Sequence, residues 1–133
     1  MLKCISGVQM TEEQTFKQIA IILKAMADPT RLQIMDIIMA GETCNCELTE
    51  RLGLPANLLS HHLRVLKKAG LVSSRRDEID GRWIYYRVDK SAIEYWHRWC
   101  GQFLNPDRIQ DCKKLCGPEG QRIPVDPTQL VIE

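Results

Sequence analysis

Thr43 to Val72 reads TCNCELTERLGLPANLLSHHLRVLKKAGLV, and the fold of the whole chain turns on how this stretch divides. Glu47 to Leu52 fits a short helix stopped at Gly53, where a left-handed C-cap is usual. Pro55 or Ala56 opens a second helix that runs to about Ala69 and ends at Gly70. Its apolar positions Leu58 or Leu59, Leu63, Leu66 and Ala69 recur at three- and four-residue spacing, which turns them toward a core. Asn57, Ser60, His61, His62, Arg64, Lys67 and Lys68 fill the remaining positions. Ahead of both helices stands a close pair of thiols, Cys44-Asn45-Cys46.

Upstream, Thr11-Glu12-Glu13-Gln14 reads as a capping box. The helix it opens carries Phe16, Ile19, Ala20, Ile22, Leu23 and Met26, a face wide enough to be covered on two sides, one of them by a second subunit. Asp28-Pro29 starts the next helix, because proline is tolerated at the first helical position. Leu32, Ile34, Met35, Ile37, Ile38 and Met39 make that helix nearly all apolar, so a central buried element ending at Gly41 is expected. Downstream, Leu71 to Arg76 and Arg82 to Val88 are β-rich, with a hairpin turn favoured at Asp80-Gly81. Ser91 to Phe103 returns to helix with Ile93, Trp96, Trp99 or Cys100, and Phe103 on one face. Asn105-Pro106 breaks it, Asp107 to Leu115 fits one more short helix, and Gly117-Pro118 opens a tail.

The order helix, helix, short helix, turn, longer helix and two-stranded hairpin is that of a winged helix-turn-helix. The fold class is therefore mainly α with a small β-hairpin. Three regions follow: a flexible arm at 1–10, the winged helix-turn-helix domain at 11–104, and an extension at 105–133 with a cysteine pair.

The 133 residues suit one core-bearing domain, and 44% hydrophobic with 26% charged residues is ordinary for a globular protein. No stretch is long and apolar enough for an export signal or a membrane span, so a cytoplasmic location without membrane contact is expected. Six cysteines in that setting point to metal or redox chemistry rather than a disulfide framework. No cysteine comes with a general base, which argues against a thiol enzyme.

Net charge is only +1, but it is unevenly placed. From Ala56 to Arg87, Arg64, Lys67, Lys68, Arg75, Arg76, Arg82 and Arg87 outnumber Asp77, Glu78 and Asp80, leaving +4. Charge gathered on the second helix and the hairpin is the footprint of association with double-stranded DNA. In such a fold the second helix enters the major groove. Asn57, Ser60, His61 and His62 can hydrogen-bond to bases or phosphates, and Arg64, Lys67, Lys68, Arg75 and Arg82 suit phosphates. His61, beside the apolar stripe, fits a hydrogen-bonded place in the core equally well.

Ala27-Asp28-Pro29-Thr30-Arg31-Leu32, then Ser60-His61-His62-Leu63 with Leu66, Ala69-Gly70-Leu71-Val72, and Gly81-Arg82 with Tyr86 closely resemble the ArsR/SmtB metal-responsive repressors. The resemblance covers roughly residues 15 to 100. It implies a homodimeric repressor, dimerising through its first and last core helices, that occupies a palindromic operator and leaves when an inducer binds.

Glu42-Thr43-Cys44-Asn45-Cys46-Glu47-Leu48 also resembles the Cys-x-Cys metal box of that family. On a regular α-helix residues two apart point about 200° from each other and cannot share an ion. In an extended or frayed first turn they point the same way, so ligation through both should distort the start of the helix-turn-helix. Thr49 stands where arsenite-sensing members carry a third cysteine. Cys4 is a candidate replacement, since cadmium- and lead-sensing members use cysteines of the N-terminal arm. A Cys4, Cys44 and Cys46 set suits As(III) or Sb(III), and Cd(II) or Pb(II) with a further ligand. Cys112 and Cys116, one helical turn apart, form an alternative or second site. Cys100 reads as a small buried hydrophobe among tryptophans. Glu94 and His97 fall where zinc-sensing members carry ligands, but the fuller pattern is missing and a surface polar pair is the better fit. Redox or persulfide sensing by the same thiols is the main alternative. Metal buffering, or a winged helix used only for protein contacts, is the lesser one.

Overall fold

The computed structural model describes residues 13–110 and Pro118. Of these, the residues from Glu13 to Cys100 belong to one compact unit, and those from Gly101 on to another.

Helix α1 spans Glu13–Met26, with Ile19, Ile22 and Ala25 buried. Its other flank is apolar too, and Leu23 there is 50% exposed. The expected capping residue Thr11 lies outside the described residues. Helix α2, Pro29–Met39, starts under Asp28, whose carboxylate accepts the Arg31 N–H at 3.0 Å. The expectation of a helix buried all round is corrected here. Ile34, Met35 and Ile38 are buried, but Leu32 and Met39 are exposed, because α1, the later helix Ala56–Lys68 and the sheet pack against one flank only.

Helix α3, Asn45–Leu52, begins two residues earlier than the sequence suggests, since Cys44 itself is the N-cap. Gly53 ends it in the left-handed conformation (φ 64°), its N–H bonded to Thr49 O. After Leu54-Pro55 comes α4, Ala56–Lys68, whose buried face is Leu59, His62, Leu63 and Leu66. Leu58 stays exposed, so of the two alternatives at that point it is Leu59 that enters the core.

Strands β1 (Thr43–Cys44), β2 (Val72–Arg76) and β3 (Ile84–Val88) form an antiparallel sheet in the order β1-β3-β2. The two-stranded hairpin expected from sequence thus gains a third strand from the residues just before α3. Between β2 and β3 the chain closes in more than the Asp-Gly step. Asp77 Oδ2 accepts the N–H groups of Ile79 and Asp80 at 3.0 and 2.9 Å, and the Asp77 N–H reaches Trp83 O at 2.9 Å.

The core gathers Ile19, Ile34, Ile38, Leu48, Leu63, Leu66 and Leu71 from four helices and the start of the wing. Burying each such side chain contributes about 1.5–3 kcal/mol before entropy is counted. Helix α5, Lys90–Phe103, places Trp99 in this core with Trp96 stacked beside it, ring centroids 6.0 Å apart. Cys100 packs against the same cluster and burial pushes its thiol pKa up, which agrees with the hydrophobe expected there.

In the second unit, Asn105 caps a single 3-10 turn, Pro106–Arg108. Ile109 and Gln110 are not helical, so the helix expected from Asp107 is not formed over these positions. Cys112 and Cys116, like Cys4, lie outside the described residues.

Candidate thiol site and nucleic-acid interface

The thiol pair is brought together by a change of backbone between its members. Cys44 is extended (φ −82°, ψ 159°) because it belongs to β1 and pairs with Tyr85, whereas Cys46 already lies in the first turn of α3. The two sulfurs consequently stand 3.1 Å apart. Ligation does not need to unwind the helix first, as helical spacing alone would require; the pair converges in the folded chain. Cys44 Sγ also accepts the Glu47 N–H at 3.4 Å, so one sulfur is both the helix cap and a potential ligand. The hydrogen bond with Cys44 leads the causes that push the Cys46 thiol pKa up, with desolvation next. A ligand that takes Cys46 must displace that thiol's proton.

Thr49, in place of a third cysteine, turns its hydroxyl inward along the helix and donates to Cys46 O at 2.8 Å. Among the described residues no third Cys, His, Asp or Glu joins the pair in a ligand cluster. Glu94 and His97 are both exposed on α5 and form no such cluster either.

Beside Cys46 a cavity of about 320 Å³ is lined by Asn45, Cys46, Arg82 and Trp83. It joins the thiol pair to the tip of the wing. Asn45 Oδ1 accepts the Ile84 N–H at 3.4 Å, and Glu42, two residues before Cys44, receives two bonds from Arg75, at 3.0 and 2.9 Å. The Arg75 guanidinium lies over the Tyr85 ring, 4.6 Å from its centroid. This contact holds the Glu42 carboxyl below its ordinary range, chiefly through the hydrogen bonds from Arg75.

On the other side of α4, Ser60, Arg64, Lys67 and Lys68 line a cleft of about 620 Å³ together with Leu63 and Tyr86. Asn57, Ser60, His61, Arg64, Lys67 and Lys68 are all exposed on this helix. Lys67 Nζ reaches across to Ser74 Oγ at 2.8 Å and so ties α4 to β2.

His62 is the correction. The sequence places it with the DNA-facing residues and leaves His61 between that role and the core, whereas the structure buries His62 and exposes His61. A residue at position 62 falls between Leu59 and Leu66 on the inner stripe, one step round from 61. Its ring nitrogen Nδ1 sits 3.1 Å from Arg31 Nη1 and 4.0 Å from Asp28 Oδ2. A guanidinium can only donate, so Nδ1 accepts and the neutral ring carries its proton on Nε2. Arg31 also donates to Ala25 O at 2.7 Å, which fastens α1, α2 and α4 at one point.

Two of the proposed phosphate contacts already have carboxylate partners. Arg75 is held by Glu42, and Arg82, 88% exposed at the wing tip, is held by Asp80 at 2.8 Å. The +4 counted along the segment overstates the positive field of the wing, because Glu42 reaches it from outside that window. Sequence carries no sign of the Glu42 contact, whose partner lies 33 residues away.

Residues 28–74 match the family described as bacterial regulatory protein, arsR family. An arsenical resistance operon repressor of Staphylococcus xylosus is 33% identical over 101 residues, covering 76% of this chain and 94% of its own. Among solved structures, HlyU from Vibrio cholerae is similar with a TM-score of 0.55 and 34% identity, over 66% of this chain and 97% of that one. A homodimeric winged helix-turn-helix DNA-binding domain from Mycobacterium bovis is similar with a TM-score of 0.56 and 27% identity, over 69% and 86% of the two chains.

Proposed function

Because this chain belongs to the arsR family of bacterial regulatory proteins, a family of transcriptional regulators and not of enzymes, we propose that it is a repressor released from DNA by a soft metal or metalloid ion. The observation that carries this reading is the 3.1 Å approach of Cys44 and Cys46 at the start of α3, the first helix of the helix-turn-helix. Thiolates select soft ions, so As(III), Sb(III), Cd(II) and Pb(II) are the candidate inducers. Cys4 supplies the third ligand in this proposal, and Cys112 with Cys116 forms the competing or second site. The arm at 1–10 and the extension at 105–133 thus serve sensing, while 11–104 binds DNA and dimerises.

DNA binding rests on α4 and the wing, with Asn57, Ser60 and His61 facing bases and Arg64, Lys67, Lys68, Arg75 and Arg82 facing phosphates. Leu23 on α1 and Tyr95 on α5 are exposed apolar groups that a second copy would cover, and two copies would read a palindrome in the cytoplasm. The test is a fluorescence-anisotropy titration of reduced protein on its own upstream DNA with arsenite, cadmium, lead and zinc. Release by one soft ion, lost in Cys44→Ser/Cys46→Ser, is expected. Release that survives the double substitution moves the site to Cys112 and Cys116. On the DNA side, Arg64→Ala should lower the slope of log affinity against log salt by about 1.

The same sulfur contact favours a second reading, redox sensing. Two thiols would close a disulfide and pass two electrons and two protons to a peroxide, which leaves as two waters or as an alcohol and a water. Release by peroxide but by no metal ion would select it.

A further inference from the structure

We infer that Asn45, with Glu42, is the positioning link through which ligand closure on Cys44 and Cys46 reaches the wing. The inference rests on the thiol pair being the inducer site, and it assigns the route from that site to the DNA-facing hairpin.

Cys44 is a strand residue, a helix cap and a ligand at once, so it cannot move in one role without disturbing the others. Its neighbours on both sides are tied to the wing. Thr43 pairs with Tyr86 and Cys44 with Tyr85, while Asn45 accepts the Ile84 N–H. Glu42 holds Arg75, and Arg75 in turn pairs with Tyr85 across the β2–β3 ladder. Four consecutive residues therefore touch three consecutive positions of β3 or their partner in β2.

Two thiolates at about 2.3 Å from one ion stand roughly 3.4 Å apart at the angles of trivalent arsenic and roughly 3.7 Å apart around a tetrahedral ion, in both cases farther than the present 3.1 Å. Ligation spreads the sulfurs, and the strain falls on the residue between them, where the chain passes from strand to helix. That residue is Asn45. Its bond to Ile84, at 3.4 Å, is at the long end of the hydrogen-bond range and is the first of these contacts to open. Once it opens, the wing loses its tie beside the turn that carries Arg82 and Trp83, while Lys67 still holds α4 to β2. The effect of the ligand therefore appears first in the wing and only then in α4.

The test uses the full chain with Cys4, Cys112 and Cys116 changed to Ser and Cys100 to Ala, so that only Cys44 and Cys46 remain. The probe is phenylarsine oxide. Each molecule forms two As–S bonds with the dithiol, the two thiol protons leave with its oxygen as water, and no electrons are transferred. In this parent, the probe should weaken DNA binding at least about tenfold. Asn45→Ala should still take up one equivalent by mass and bind DNA without probe within roughly threefold of the parent. Its release should fall to less than about a fifth of the parent's factor, and Asn45→Asp, which keeps the acceptor oxygen, should restore it. Glu42→Gln should give an intermediate loss.

Full release from Asn45→Ala overturns the link while leaving the thiol switch standing. A parent that binds the probe and stays on DNA overturns both, as does a parent that takes up no probe. Should Asn45→Ala not bind DNA at all, Trp83 decides. Its emission, taken as the difference between the parent and Trp83→Phe, should change when the probe binds, and an unchanged difference overturns the proposal.

Discussion

Helix α2 begins under the carboxylate of Asp28 and α3 under the sulfur of Cys44, each accepting the N–H three residues on, at 3.0 and 3.4 Å respectively. The carboxylate is a strong acceptor made stronger by its setting. The Arg31 N–H leads the causes that lower its pKa, and the charge of Arg31 adds to it. Behind it, the Arg31–His62 contact pins α2 to the recognition helix. Sulfur is a weaker acceptor, held by one long bond at the edge of a two-residue strand, and the same atom can be claimed by a ligand. On the proposed reading, one helix start is fixed and the other is the one that a ligand converts. A switch needs both: a frame that does not yield, and an element whose two states a ligand can tell apart.

The contrast breaks most easily at His62. His62→Ala removes a buried ring and leaves Arg31 Nη1 without its acceptor, so urea unfolding should show a loss of about 2–3 kcal/mol. A loss no larger than that of His61→Ala would mean that α2 is not fixed in this way. Next in size, Asp28→Ala should lower Tm by about 3–6 °C, the effect of losing an N-cap. Because the folded-state pKa of Asp28 lies below its unfolded value, its contribution is present above the ordinary carboxylate range. It is lost as pH falls through the lowered value, so the wild-type and Asp28→Ala melting curves should converge in acid.

Cys44→Ser should move Tm by less than about 2 °C in either direction, since serine caps at least as well as cysteine. A fall as large as that of Asp28→Ala would show that the sulfur is a structural cap after all. The smallest effect concerns Cys46. Its raised pKa means that the thiol form is favoured in the folded chain, a contribution present at neutral pH and lost as pH rises through the raised value. Alkylation of Cys46 by iodoacetamide near neutral pH, followed by mass spectrometry, should be about two- to threefold faster in Cys44→Ser than in wild type.

Much of this was readable along the chain. Gly53 and Gly70 mark helix ends because only a residue without a Cβ takes up those positive φ angles without strain. The three- and four-residue spacing of Leu59, Leu63 and Leu66 fixes the inner side of α4. Such signals are local, and a local signal survives in a linear sequence. Adjacent histidines defeated the same method: positions 61 and 62 differ by about 100° on the helix, and both border the stripe. Only Arg31, 31 residues away, decides which of them is satisfied inside.

By itself, then, the sequence determined the order of the helices and of the two hairpin strands, the capping at Asp28, the basic character of α4 and the wing, and the presence of two thiols at the start of α3. Tertiary structure alone decided that those thiols meet. Cys44 is extended because β1 pairs with β3, some forty residues downstream, and that pairing turns a spacing unfavourable within a helix into a sulfur contact of 3.1 Å. The pairing of Arg75 with Glu42 and the burial of His62 have the same origin. Each depends on a partner distant in sequence, and burial and charge compensation are set by what folding brings near.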